Sequence, residues 1–140
     1  MKVMVIVKAS KDSEAGVLPS ETLLREMGQF NEELAKAGVL VAAEGLQPSS
    51  KGKRVRFAAN KRMVIDGPFV ETKELIAGFW IWEVKSMDEA LDWIKRCPNP
   101  HEQEGEIEIR PVFSPEDFAA CDPSGELRAA EARLRERTKE

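Results

Sequence analysis

A chain of 140 residues with 42% hydrophobic and 33% charged residues has the size of a single domain and enough apolar material for one core, which excludes a disordered chain. Asp and Glu number 25 against 21 Lys and Arg, a formal net charge of -4, so the overall field draws the chain neither to phosphate backbones nor to anionic membranes. No apolar run approaches the ~20 residues that span a bilayer, and Met1 to Lys8 is too short and too soon charged for a leader, so the expected location is the cytoplasm. Two distant cysteines, Cys97 and Cys121, and one His provide neither a disulfide framework nor a four-ligand site, so no metal or cofactor is expected.

Lys2 to Lys8 is a β-branched run, apolar on both alternating faces, and reads as a central strand covered from two sides. Polar residues with Gly16 and Pro19 follow, and Ser20 caps a predicted helix whose Leu23, Met27, Phe30 and Leu34 share one face. Gly38 is a left-handed terminator, after which Val39-Leu40-Val41 returns to extended structure ending near Pro48. Between Lys53 and Asp66 the period falls to two, with Val55 and Phe57 opposite Arg54 and Arg56, and a hairpin turning near Ala59 to Lys61 fits.

Asp66-Gly67-Pro68-Phe69 has the composition of a sharp turn. Ile76 to Val84 is the most hydrophobic strand, with Trp80 and Trp82 on one face and Phe79 and Ile81 on the other. Ser86 and Glu89 form a capping-box pair opening a helix with Met87, Ala90, Leu91 and Ile94 as its stripe, and Pro98 ends it. A Pro- and Asn-rich loop carries His101 before Glu106 to Arg110 alternates as the last core strand. Beyond Pro115 a turn at 123 to 125 leads to a weakly anchored helix with Leu127, Ala130 and Leu134 as a thin stripe.

Strand, helix, strand, hairpin insert, strand, helix, strand is the order of an α+β, ferredoxin-like split βαβ fold, with both helices on one sheet face. The strands beginning at Met1 and Ile76 are apolar on both faces, so a second copy is expected to cover the other face, with Trp80 or Trp82 against it. The expected state is a homodimer.

Asp66-Gly67-Pro68-Phe69, then Glu71-Thr72-Lys73-Glu74, Gly78, the aromatic strand and Asp88-Glu89-Ala90-Leu91 resemble the YCII-related group, often called DGPF-domain proteins. The resemblance covers roughly residues 1 to 113 and implies a dimeric α/β barrel of ferredoxin-like protomers, with a pocket between helices and sheet or at the dimer cleft. Residues 114–140 lie outside it as a C-terminal helical extension. The resemblance also implies that many relatives lack an assigned reaction, that some occur beside extracytoplasmic-function sigma factors, and that relatives in the wider group use a His-Asp pair. The first strand, Lys2 to Lys8, carries no His, so that pair does not transfer.

Asp66 is the leading catalytic candidate, because a carboxylate at a strand end beside a Gly-Pro turn can be partly desolvated toward general-base work, although an Asx-turn needs the same residue. Lys73 and Glu74 are substrate-binding candidates in a mixed-charge loop, and Arg110, alternating with Glu106 and Glu108 on the last strand, is the natural anion fork. His101 is a weaker catalytic candidate. Lys51, Lys53, Arg54 and Arg56 around Phe57 suggest a nucleic-acid stripe, but Phe57 points away from the two arginines and a solvated hairpin face is favoured. The resulting expectation is a small-molecule-binding protein, with proton abstraction or elimination as the candidate reaction. The competing one is a non-catalytic module with a transcription-related protein partner.

Overall fold

The computed structural model describes residues 1–101 and 103–138. Six strands and four helices follow in order: β1 (Lys2–Lys8), α1 (Lys11–Glu14), α2 (Glu21–Lys36), β2 (Leu40–Gly45), β3 (Lys53–Ala58), β4 (Lys61–Asp66), β5 (Ile76–Glu83), α3 (Met87–Arg96), β6 (Ile107–Pro111) and α4 (Glu126–Arg137). The architecture is α+β: an antiparallel sheet in the order β2-β5-β1-β6 and a separate two-stranded sheet, β3-β4. Among the described residues the sheets form no closed barrel.

Local chemistry explains the helix ends. Ser20 accepts from the Leu23 N–H to open α2, and Gly38 takes the left-handed φ of 73° that ends the helix. Ser86 accepts from the Glu89 N–H, but the Glu89 carboxylate accepts from Lys85 rather than returning to Ser86, so the expected capping box is only half made. In α3, Trp93 joins the core and Leu91 is exposed. The stripe is therefore rotated from the expected one, because the bulkier indole takes the inward position. The short α1 escaped the sequence pattern, being a single turn with no buried residue.

Register builds the core. β1 and β5 pair Val3 with Trp82 and Val5 with Trp80, and directly paired residues share a face. That face packs on α2 and α3: Phe30 meets the rings of Trp80, Trp82 and Trp93 edge-on at 6.0, 6.2 and 6.3 Å, and such ring pairs contribute about 0.5–1.5 kcal/mol each beyond area burial. Trp80 and Trp82, expected against a second copy, are instead 5% and 0% exposed inside their own chain. The opposite face carries Met4, Ile6, Phe79 and Ile81, all half-buried and outside this core.

The tail folds on itself. A 3-10 segment, Pro115–Cys121, precedes α4, whose N-cap is a glycine without a side-chain acceptor. Asp122 takes over that role from outside the helix, accepting from the N–H groups of Leu127 and Arg128 at 3.2 and 2.9 Å. Arg128 then reaches back from Nε to the Asp122 carboxylate, and with its terminal nitrogens to the Asp122 carbonyl and to Glu116. The Arg128 N–H, followed by that of Leu127 and the guanidinium, holds the Asp122 carboxyl below its ordinary value against the opposing effect of burial.

Trp80 Nε1 donates to Asn31 Oδ1 at 2.8 Å, so Asn31→Leu should strand that N–H and lower stability by about 1–3 kcal/mol in urea unfolding. Because the folded-state pKa of Asp122 is lowered, its support for α4 is complete above the ordinary carboxylate value of about 3.9 and is lost as pH falls through the lower folded value. Protection factors of the Leu127 and Arg128 amides, corrected for intrinsic exchange, should fall in that acid range, and Asp122→Ala should reproduce the loss at neutral pH.

Candidate functional site

Antiparallel pairing brings the C-terminal ends of β1 and β2 and the N-terminal ends of β5 and β6 to one end of the sheet, through the pairs Lys8–Ile76, Val7–Ile107 and Gly45–Gly78. The segments 9–20, 46–52, 67–75, 97–101 and 103–106 therefore meet there. Backbone bonds tie them down: Ala9 N–H to the Leu75 carbonyl at 2.9 Å and Leu46 N–H to the Ala77 carbonyl at 2.8 Å. Glu14 accepts from the Ser49 N–H at 2.9 Å and from the Ser49 hydroxyl, whose oxygen accepts in turn from the Phe69 N–H at 3.0 Å. This Glu14–Ser49–Phe69 latch bridges 35 and 20 residues of sequence and had no local signal.

Asp66, the last residue of β4, lies beside this latch. Its carboxylate pairs with Lys53, its neighbour in register, at 2.6 Å, and the side chain is 75% exposed. The desolvation expected of a general base is absent, because the hairpin stands out from the sheet and solvent reaches the carboxylate. Lys73 and Glu74 are exposed in the 3-10 turn Thr72–Glu74, and their side chains make no hydrogen bond or ion pair among the described residues.

His101 and Arg110 lie elsewhere. His101 is half-buried, and its Nε2 is 2.8 Å from the Lys8 carbonyl; the carbonyl can only accept, so Nε2 carries the hydrogen. The Lys8 ammonium is 3.8 Å from Glu108, so Lys8 links His101, through its backbone, to Glu108. Arg110 is exposed on the helix-free sheet face, paired in register with Met4. No hydrogen bond or ion pair among the described residues joins Asp66 to His101 or Arg110. The period-2 spacing from Met4 and Ile6 puts Lys8 on the same face.

No group of three metal-ligating side chains occurs among the described residues. Burial pushes the Cys97 thiol up to about 11, which suits its place at the end of α3, where Sγ contacts the Pro98 carbonyl at 3.2 Å, and disfavours the thiolate at neutral pH. An open cavity of about 420 Å³ lies in the tail between Phe113, Phe118, Leu127 and Arg128. Another, about 380 Å³, lies beside Met1, Gly38 and Glu89. No helix among the described residues is long and apolar enough to cross a membrane.

Gly67 decides how the hairpin joins the sheet. Its N–H bonds the Gly52 carbonyl at 3.0 Å, and a Cβ there would stand 1.7 Å from the Ser49 carbonyl oxygen, so the backbone must shift to admit any side chain. Gly67→Ala should break the latch and cost about 1–3 kcal/mol, the usual loss for a strained core-backbone change. Limited proteolysis should then cut within 46–70 faster, while near-ultraviolet circular dichroism of the Trp cluster stays native.

The sequence profile described as the YCII-related domain matches residues 1–116. A protein of Rhizobium meliloti (strain 1021), described only as uncharacterized, is 34% identical over 92 residues, spanning 66% of this chain and 74% of that protein. The matched region contains the whole four-stranded sheet, the hairpin and the latch, and it stops at the start of the 3-10 segment before α4. With that coverage, the chain belongs to the YCII-related domain family.

Proposed function

We propose that this chain is a small-molecule-binding protein whose ligand lies against the helix-free face of the sheet, where that face meets the same face of a second copy. One observation carries the reading. Register aligns two cross-strand rows on that face, Ala42–Ile81–Met4–Arg110 and Glu44–Phe79–Ile6–Glu108. They form an apolar floor edged by a guanidinium and two carboxylates, the mixture of apolar wall and few polar groups that small-molecule sites use. An antiparallel sheet with so apolar a second face is stabilised by covering it.

The strand order β2-β5-β1-β6, with α2 between β1 and β2 and α3 between β5 and β6, supports a ferredoxin-like protomer with a hairpin insert. Two such sheets stacked face to face would make a dimeric α/β barrel. In this reading residues 1–113 are the family domain and 114–140 a helical extension. Arg110, without an ion pair among the described residues, is the seat for a carboxylate or phosphate. For proton abstraction or elimination, the half-buried Glu108 beside Lys8 stands ahead of the exposed Asp66. The alternative, a non-catalytic interaction module, is favoured by Leu127 of the tail and by Phe113 at its junction with the domain, 70% and 72% exposed.

Thermal-shift screening of small carboxylates and phosphates tests the binding reading. A ligand at a hundred times its Kd should stabilise the wild type by about 2.7 kcal/mol, and Arg110→Ala should abolish the shift without changing the unliganded melting temperature. Phe79→Glu should convert the wild-type dimer to a monomer in sedimentation velocity, because a charge would be buried at the interface. A shift that survives Arg110→Ala, or a Phe79→Glu variant that still dimerises, would sink the reading. Ligand-independent capture of a protein partner, lost when residues 115–138 are removed, would favour the module instead.

A further inference from the structure

The β3-β4 hairpin is an arm without intrachain cover. Every residue from Lys53 to Asp66 is exposed. Its links to the body lie at its base, through the Gly67–Gly52 bond and Arg54 stacked 3.9 Å over Phe69. Register puts Val55, Val64 and Phe57 on one face, 49%, 65% and 69% exposed. A lone two-stranded ribbon is marginal in water, and an apolar face so fully exposed marks an interaction surface.

Charge identifies the occupant. The arm holds five cations, Lys53, Arg54, Arg56, Lys61 and Arg62, and one carboxylate, Asp66, for a net +4. The whole chain is -4, so everything outside the arm carries -8. The remainder of every other copy of this chain is thus opposite in net sign to the arm. A polyanionic nucleic acid fits less well. Lys53 is paired with Asp66, Arg54 lies on Phe69 and Arg62 lies 4.8 Å from the Phe57 ring, which leaves Arg56 and Lys61 for phosphates beside an acidic body.

We propose that the arm clasps a second copy of this chain, its Val55–Phe57–Val64 face lying on the acidic body of that copy and its cations steering the encounter. The proposal rests on the face-to-face dimer described above, and extends it by giving each protomer a second point of contact outside the sheet.

The test uses the full-length protein. Val64→Glu touches no buried residue and should weaken self-association by about a hundredfold in sedimentation equilibrium, since it places an unpaired carboxylate in the contact. Leu24→Glu, at a comparably exposed site on α2, should leave association unchanged. A photo-crosslinking residue at Phe57, in a mixture of isotopically light and heavy protein, should yield mixed-isotope crosslinked peptides. Association should also weaken as salt is raised. If Val64→Glu associates like the wild type and position 57 crosslinks only within one chain, the arm proposal is overturned while the sheet-face dimer stands. If the wild type is monomeric at micromolar concentration, both fail. Arm-dependent binding of a labelled oligonucleotide without arm-dependent self-association would also overturn it.

Discussion

The pairing of Val3 with Trp82 and Val5 with Trp80 on the two central strands governs this structure. Because alternate residues point to opposite faces, once those four side chains lie under Phe30, Met4, Ile6, Phe79 and Ile81 have no choice of face. A one-residue slip of β5 against β1 would turn Phe79, Ile81 and Glu83 toward the helices in place of the indoles. Register thus sets both the core and the helix-free surface on which the functional reading rests.

Outside that core the chain is held by polar contacts. The arm joins the body through the Glu14–Ser49–Phe69 latch and the close approach at Gly67, and the tail is organised by Asp122 and Arg128. Net hydrogen-bond contributions are about 1 kcal/mol each, whereas each large core side chain contributes about 1.5–3 kcal/mol. The arm and tail therefore open at lower free energy than the sheet. Both carry exposed apolar side chains, Phe57 and Val64 on the arm and Leu127 on the tail.

The chemistry is correspondingly sparse. Burial pushes the Cys97 thiol pKa up, Asp66 is an exposed ion-pair partner, and His101 spends one nitrogen on a backbone carbonyl. What remains is the edge of the helix-free face, where Glu108 lies beside Lys8 and Arg110 stands without an ion pair among the described residues. Charged groups at the rim of an apolar floor have their strength set by how much water is excluded, so the same residues are weak in an open sheet and strong in a closed one.

Much of this was legible in the chain itself, for reasons of short range. The period-2 runs, the Ser20 and Ser86 caps, the Gly38 stop and the hairpin turn at Ala59 and Asn60 depend on neighbours a few residues apart, and the Asp66-Gly67-Pro68-Phe69 run with its flanks pointed to the family that the profile match supports. Tertiary structure alone decided which apolar face the helices take: both faces of β5 are equally hydrophobic in sequence, and only packing against Phe30 placed Trp80 and Trp82 inside and left Phe79 and Ile81 for another surface. It also decided the candidate site. Ser49 and Glu14 meet across 35 residues and His101 meets Lys8 across 93, contacts created by the antiparallel order of strands and by no local pattern, whereas Asp66, the most conspicuous residue in sequence, is held away in solvent by the arm that carries it.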